Sequence, residues 1–282
     1  MKHILFDTLI ESLNLLPFLL ITFLIIEFIE HKASKKSIKI LTKTKKYGPI
    51  VGGILGATPQ CGLGVMATNL YATNIITIGT LIAIYLSTSD EMLPIMISEG
   101  LPISKIAIIL LIKIIIAIFC GFFIDFIFRK KNKNAKIEVE ELCENEHCHC
   151  EDSLIKSSLL HTLKTFIFIF IISFVLHVFI HEIGEENISN LFLDGNILTP
   201  FLSSIIGLIP NCAGSVVITE LYINNVISFG SMLAGLLTGS GLSILILFKV
   251  NNDLKDNMVI LGTVYIIGVI FGVLFNLIGV TI

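Results

Sequence analysis

The sequence predicts an all-α polytopic membrane protein built from two inverted-topology repeats with broken or re-entrant helices. Composition is the first reason. Hydrophobic residues make up 54% of the 282 residues and charged residues only 15%, whereas soluble domains carry about 25% charged residues. The second reason is a series of apolar segments close to the length of about 20 residues that a bilayer-spanning helix needs. The third is an internal repeat at a fixed spacing.

The apolar segments fall into two classes. Four are continuous and long enough to cross a bilayer: Leu9–Ile29, Ile106–Phe128, Leu159–Ile180 and Met258–Ile282. Four are interrupted: Pro49–Tyr71, Ile75–Ile97, Pro200–Tyr222 and Val226–Phe248. The first segment is too long, and lacks the small-residue cleavage site, for a cleaved signal peptide. We therefore expect it to be a membrane span.

Charge and cysteine content exclude two other classes of protein. The formal net charge is −3 and the isoelectric point is about 6.2, so there is no overall basic field and no nucleic-acid partner is predicted. Six cysteines in so long and so hydrophobic a chain do not indicate a secreted disulfide scaffold.

The two halves of the chain align without a gap when shifted by 151 residues. Between Gly56–Met96 and Gly207–Leu247, 14 of 41 positions are identical, and they include proline, cysteine, asparagine and tyrosine as well as apolar residues. Shared apolar composition would match isoleucine and leucine but would not readily match these types in one register. We infer an internal duplication, which is typical of many transporters.

Lysine and arginine predict the orientation of the halves. Seven lysines lie in residues 31–47 and five basic residues in 129–136, whereas residues 182–199 carry four acidic residues and no basic one. If both basic segments are cytoplasmic, each repeat crosses the membrane an odd number of times, and the two are inverted. The predicted domains are repeat 1 (1–128), a cytoplasmic linker (129–158) and repeat 2 (159–282) of a multi-pass protein of the cell membrane.

Each repeat has a first helix break at a proline. The segments are Thr58–Gly62, with the sequence Thr-Pro-Gln-Cys-Gly, and Ile209–Ala213, with the sequence Ile-Pro-Asn-Cys-Ala. Proline removes a backbone donor and clashes with the preceding turn. The freed backbone groups are tolerated at membrane depth only beside protein or a wet cavity. Paired breaks of this kind are the best indication of a transporter's binding site, although proline kinks used only for packing would look similar.

A second break follows in each repeat, at 87–91 and 238–242. Asp90 and Glu91 lie there between apolar runs, where charges are costly; a loop at the membrane surface is the alternative. Glu220 replaces Asn69 at the equivalent position of the second repeat. The predicted substrate-binding residues are Pro59, Gln60, Cys61, Asn69, Asp90, Glu91, Pro210, Asn211, Cys212 and Glu220.

Other polar residues lie within the predicted spans. Lys113 lies in mid-span opposite Val264 of the second repeat, where it would either pair with a carboxylate or extend to the interface. Asp125 lies near a span end and is predicted to be interfacial. Cys120 has no cysteine counterpart and is predicted to be a buried structural thiol.

The linker contains a cluster of cysteine and histidine. Its candidate metal ligands are Cys143, His147, Cys148, His149 and Cys150. Thiolate and imidazole suit Zn²⁺, Cu⁺ or As(III), and a cytosolic position keeps the thiols reduced. The spacing is not that of a standard zinc finger, so a charged linker with incidental cysteine and histidine stays an alternative.

Several of these motifs together resemble a known family. The two Pro-(Gln/Asn)-Cys breaks, the stretches STSDEMLPI and GLIPNCAGSVVITELY, and CENEHCHC in the linker are similar to the ten-helix heavy-metal exporters, often called arsenic efflux permeases. The resemblance covers nearly the whole chain. It implies an integral membrane exporter of a metal or metalloid, with the two Pro-(Gln/Asn)-Cys segments as its core.

The leading hypothesis is a secondary exporter of a soft metal or metalloid, with arsenite as the first candidate. A divalent exporter of manganese or zinc, using the carboxylates and amides, is the alternative, and a membrane-bound metal sensor is a third reading. No zinc-protease, serine-hydrolase or ATP-binding motif is found. The sequence therefore predicts no enzyme and no cofactor. The expected partners are the metal or metalloid ion, the lipid bilayer and a coupling proton on Glu220 or Asp90; a homo-oligomer stays open.

Overall fold

The computed structural model describes residues 47–58, 61–89, 92–128, 198–210 and 212–280, together with isolated positions within 16–24 and 159–174. Every regular element in these residues is helical, so the all-α prediction is confirmed. The predicted spans Leu9–Ile29 and Leu159–Ile180 lie largely outside the described residues, and the linker lies wholly outside them.

Each half contributes five described helices. Those of the first half are α1 (Gly48–Gly56), α2 (Cys61–Ala72), α3 (Ile78–Ser87), α4 (Met92–Ser98) and α5 (Ile103–Ile127). Those of the second half are α6 (Thr199–Gly207), α7 (Cys212–Ile223), α8 (Phe229–Thr238), α9 (Ser243–Val250) and α10 (Leu254–Ile278). Every helix of the second half begins 151 residues after its counterpart, which is the spacing of the sequence alignment.

The predicted helix breaks are confirmed. The tract Pro49–Tyr71 divides into α1 and α2, and Ile75–Ile97 divides into α3 and α4, with matching divisions in the second half. Within the part of the chain that the structure describes, four helical stretches are long and apolar enough to cross a membrane: Ile78–Ser98, Ile103–Ile127, Phe229–Val250 and Leu254–Ile278. The first and third of these contain the second breaks.

The corner that joins the second and third helices has the same backbone conformation in both halves. Asn74 and Asn225 both have φ 57°, and they are the only non-glycine residues of the described chain with a positive φ. Asparagine tolerates this left-handed conformation better than other residues with a side chain. The following amides close the corner, as Ile75 N–H donates to the Leu70 carbonyl at 2.9 Å and Val226 N–H to the Leu221 carbonyl at 2.8 Å.

Helices α3 and α8 form the centre of the molecule. They contact each other, every residue of α8 is buried, and in α3 only Ile84 is not fully buried. Helices α5 and α10 pack against them and keep an exposed apolar side; Phe126 is 73% exposed and Leu277 is 79% exposed. Such large exposed apolar faces fit a lipid environment and would be unfavourable in water.

A side chain from the long outer helix caps each central helix. Asp125 accepts hydrogen bonds from the Gly79 N–H at 2.9 Å and the Thr77 hydroxyl at 2.7 Å. Its counterpart is Asn276, which lies 2.7 Å from the Ser228 hydroxyl. These contacts hold the N-terminal ends of α3 and α8 against α5 and α10, so Asp125 caps a helix within the protein.

The halves interlock through their broken helices. Helix α2 packs against α9, and α7 packs against α4. Each short helix that follows a Pro-(Gln/Asn)-Cys segment therefore lies against a short helix of the other half, next to the second break.

Candidate functional site

The two cysteines of the predicted core begin equivalent helices. The backbone of Cys61 starts α2 and that of Cys212 starts α7, each after a short interruption that follows α1 or α6. Pro210 is half-buried at the second of these interruptions. These positions place both cysteines at the breaks, as the sequence predicts.

Much of the predicted site lies outside the residues that the structure describes. The residues outside it are Pro59, Gln60, Asp90, Glu91, Asn211 and the linker positions Cys143, His147, Cys148, His149 and Cys150. The side chains of Cys61 and Cys212 are also outside it. Among the described residues, no group of three or more His, Cys, Asp or Glu side chains could hold a metal ion.

The equivalent residues Asn69 and Glu220 have different surroundings. Asn69 is completely buried; its amide nitrogen donates to the Val65 carbonyl at 3.2 Å, and its carbonyl oxygen has no hydrogen-bond partner among the described residues. Glu220 is exposed within the described structure. A buried carbonyl oxygen without a donor is costly. Among the described residues, Asn69 thus keeps a buried acceptor without a partner, whereas Glu220 is exposed.

The α2–α9 interface contains a buried hydroxyl pair that sequence analysis missed. The Thr68 hydroxyl and the fully buried Tyr85 hydroxyl are 2.6 Å apart, and each lies 3.3 Å from the Ser243 carbonyl oxygen at the start of α9. In the second half Leu236 stands where Tyr85 does. This polar junction between the halves therefore exists at one of the two equivalent interfaces.

Lys113 lies at the second break of the first half. Its side chain is completely buried, and its ammonium donates to the carbonyl oxygen of Thr88, the residue that follows α3. Full burial excludes the predicted alternative in which the side chain extends to the interface. The other alternative, pairing with a carboxylate, stays a prediction. The break itself also provides a backbone acceptor at the negative end of a helix.

A second network missed by sequence analysis joins α2 to α10. The Tyr71 hydroxyl donates to Asp256 at 2.6 Å, and the Asn251 amide donates to Asp256 at 3.0 Å and to Asn257 at 2.7 Å. Asp256 is 8% exposed. Its counterpart Lys105 is exposed, so no period or motif in the sequence indicates this contact between the halves.

An apolar cavity of about 350 Å³ lies between α1, α2 and α3. Leu63, Met66, Thr80 and Ile84 are among its lining residues. Metal ions require several polar ligands, so this cavity is not a metal site.

Comparison with known proteins identifies one family. A family model described as "Putative, 10TM heavy-metal exporter" matches residues 4–192 and 165–281. No curated protein and no solved structure matches the chain. The family match covers nearly the whole sequence, including both pairs of helix breaks.

Proposed function

The chain belongs to the heavy-metal exporter family, and from this premise we propose that it exports a thiophilic metalloid, with arsenite as the preferred substrate. The family and the apolar helices make it a multi-pass membrane protein. The choice of arsenite rests on one observation: Cys61 and Cys212 begin equivalent helices at the paired breaks.

Sulfur chemistry supports this choice. Soft thiolates prefer soft ions, and As(III) is thiophilic. Two cysteines would supply fewer sulfur ligands than the three that As(III) can take, which favours binding that is brief enough for release. A transport site needs such reversible binding.

A divalent cation such as Mn²⁺ or Zn²⁺ is the second candidate substrate. Asn69 favours it, because this buried residue has a carbonyl oxygen with no described partner. Mn²⁺ prefers oxygen ligands. In this proposal the ion would be bound by oxygen atoms of Asn69, Asp90, Glu91, Asn211 and Glu220. Glu220 would have to turn inward to join the others, and the cysteines would not be required.

The architecture proposed with this function has two inverted repeats, 1–128 and 159–282, joined by a cytoplasmic linker in the cell membrane. The common 151-residue spacing of the helix starts supports the duplication, and the basic residues at 31–47 and 129–136 support the orientation. Transport would then proceed by one repeat moving against the other around the breaks.

The deciding experiment compares accumulation of arsenite, Mn²⁺ and Zn²⁺ in everted membrane vesicles. The variants are Cys61→Ser, Cys212→Ser and the double variant, with Cys120→Ala as the matched control because Cys120 lies on α5, away from both breaks. We expect arsenite uptake by the wild type and the control, and little uptake by either break variant.

Two results would contradict this proposal. Unchanged arsenite uptake in the double variant would remove the cysteines from the site. Uptake of Mn²⁺ or Zn²⁺ that persists in the double variant but is lost in Glu220→Gln would favour the divalent candidate.

A further inference from the structure

At the C-terminal end of α3, the central helix of the first half, the carbonyl oxygens accept several hydrogen bonds. Ile84 O accepts from the Thr88 N–H at 3.1 Å and the Thr88 hydroxyl at 2.8 Å. The Ser87 hydroxyl donates to Ala83 O at 2.9 Å. The Lys113 ammonium then binds the Thr88 carbonyl. The Lys113 amino group therefore lies at the C-terminal end of α3, where the negative end of the helix dipole favours a positive charge.

The equivalent end of α8 keeps a hydroxyl, since Thr238 stands in the place of Ser87, but it lacks the Thr88 hydroxyl and the Lys113 ammonium. Gly239 stands in the place of Thr88 and Val264 in the place of Lys113. Val264 is fully buried on the side of α10 that faces α8, but valine carries no charge and ends at its Cγ atoms. The helix dipole of α8 is consequently not balanced by an ammonium from α10.

At the C-terminal end of α8, one side-chain hydroxyl lies close to three backbone carbonyl oxygens. The Thr238 hydroxyl lies 3.0 Å from the Ser204 and Gly235 carbonyl oxygens and 3.2 Å from that of Ala234. A hydroxyl has one proton, so it can satisfy only one of the three fully. The Ser204 oxygen also accepts from the Leu208 N–H at 3.2 Å. Because a carbonyl oxygen has two lone pairs, such oxygens keep acceptor capacity for a cation.

The backbone around Gly239 forms an oxygen-lined cradle. A Cβ atom added to Gly239 would lie 3.3 Å from the Gly235 carbonyl oxygen, 3.8 Å from that of Leu236 and 3.9 Å from that of Gly207. Ser240 follows; it is 3% exposed, and its hydroxyl has no hydrogen-bond partner among the described residues. Buried polar atoms without partners are costly, which indicates that a ligand completes this site.

We propose that a sodium ion binds at this end of α8, in the place that the Lys113 ammonium takes at the end of α3. Oxygen ligands suit a hard cation. The described ligand oxygens all belong to neutral groups, which favours a monovalent cation over a divalent one. In transporters, the C-terminal ends of broken helices are known to coordinate Na⁺. A role of this sodium ion in coupling rests on the proposed export function, whereas the binding of the ion does not.

The test is thermal unfolding of the purified full chain in NaCl, KCl and choline chloride at equal ionic strength, without any metal substrate. Gly239→Ala places a methyl group in the cradle, Ser240→Ala removes the unpartnered hydroxyl, and Val264→Lys installs the ammonium found in the first half. Matched controls are Gly262→Ala, where an added Cβ meets nothing within 4 Å, and Val259→Lys, at a position that is 41% exposed.

We expect the melting temperature of the wild type to rise with the logarithm of the Na⁺ concentration, because a ligand that binds the folded state stabilises it. Gly239→Ala and Ser240→Ala should need about tenfold more Na⁺, equivalent to about 1.4 kcal/mol of binding free energy. Val264→Lys should lose the dependence on Na⁺, and both controls should keep it.

The proposal is overturned if Na⁺ raises the melting temperature no more than choline or K⁺ does, or if the Na⁺ effect is unchanged in Gly239→Ala and Ser240→Ala. Those two variants decide the matter if Val264→Lys does not fold. Because no transported metal is present, loss of the Na⁺ effect and loss of metal export are separate results.

Discussion

The two halves have the same arrangement of helices but differ in their buried polar groups. Gly79 and Gly230 pack against the equivalent glycines of the outer helices, Gly121 and Gly272, and the helices start at equivalent positions. The polar groups instead differ, as Lys113 corresponds to Val264. Duplication has preserved the contacts that form the fold, while the residues that can bind or move charge have diverged. Substitutions at the shared and at the divergent positions should therefore have different consequences.

The largest effect is expected at a shared position. Gly79→Ala would place a Cβ atom against the carbonyl oxygen of Gly121, and Gly230→Ala would do the same at Gly272. Because backbone atoms cannot move aside easily, overpacking should cost about 3 kcal/mol or more, the upper end of its usual range, in either half. The measurement is the yield of monodisperse protein by size-exclusion chromatography, with Gly262→Ala as the control. Normal yield from both variants would show that the glycine contacts do not hold these helices together.

The next effect concerns a divergent position and is one-sided. Lys113→Met removes an ammonium from the Thr88 carbonyl and should lower stability by about 1.5–3 kcal/mol, the value of a hydrogen bond to a charged group. Ile260→Met, a nearly volume-conserving change at a fully buried position of α10 in the other half, should cost less than about 1.5 kcal/mol. Thermal unfolding measures both. Equal losses would mean that the ammonium contributes nothing beyond packing.

A smaller effect is expected at the contact between the halves. Tyr71→Phe removes the hydrogen bond to Asp256 while keeping the ring, and a bond to a carboxylate contributes about 1.5–3 kcal/mol. The Asn251 amide still binds Asp256, so we expect the low end of that range. Tyr265→Phe on α10 is the control, and denaturation in urea is the measurement. A loss no larger than that of the control would show that this network does not link the halves.

The smallest effect should come from making one half resemble the other. Asp125→Asn introduces the amide that Asn276 already provides at the equivalent cap. An amide oxygen can still accept from Gly79, but the amide nitrogen cannot accept from the Thr77 hydroxyl. We expect the loss of that hydrogen bond and of the favourable charge at the helix N-terminus to cost about 1 kcal/mol together. Thermal unfolding of this variant and of the reverse variant Asn276→Asp tests the expectation. A loss several times larger would show that the carboxylate has a role beyond capping.

The sequence predicts the fold well because the apolar runs, the repeat spacing and the helix breaks can be recognised from the sequence itself. The apolar run Ile106–Phe128 corresponds to α5, and the prolines at 59 and 210 mark the divisions between short helices. The family resemblance was likewise confirmed by the family match. These features depend on residues that are neighbours in the sequence or that recur at one spacing.

The partners of buried polar groups could not be predicted in the same way. Tyr71 and Asp256 are 185 residues apart, and Thr68 meets the Ser243 carbonyl across 175 residues. Such pairs depend on how α2 packs against the other half, which no local pattern encodes. The acceptor of Lys113 was missed for another reason, because it is a backbone carbonyl and backbone groups carry no sequence signature.

The corner at Asn74 has a mechanical consequence for the cysteine that begins α2. The corner fixes the C-terminal end of this helix to α3 through amides that donate to Leu70 and Tyr71 carbonyls, whereas its other end follows a break. A rigid tilt of the helix would therefore have its pivot at Asn74. Its 12 residues give an arm of about 18 Å, so a rotation of about 10° would move the backbone of Cys61 by about 3 Å. Asn225 would be the equivalent pivot for Cys212, and a small tilt of either helix would change the separation of the two cysteine backbones.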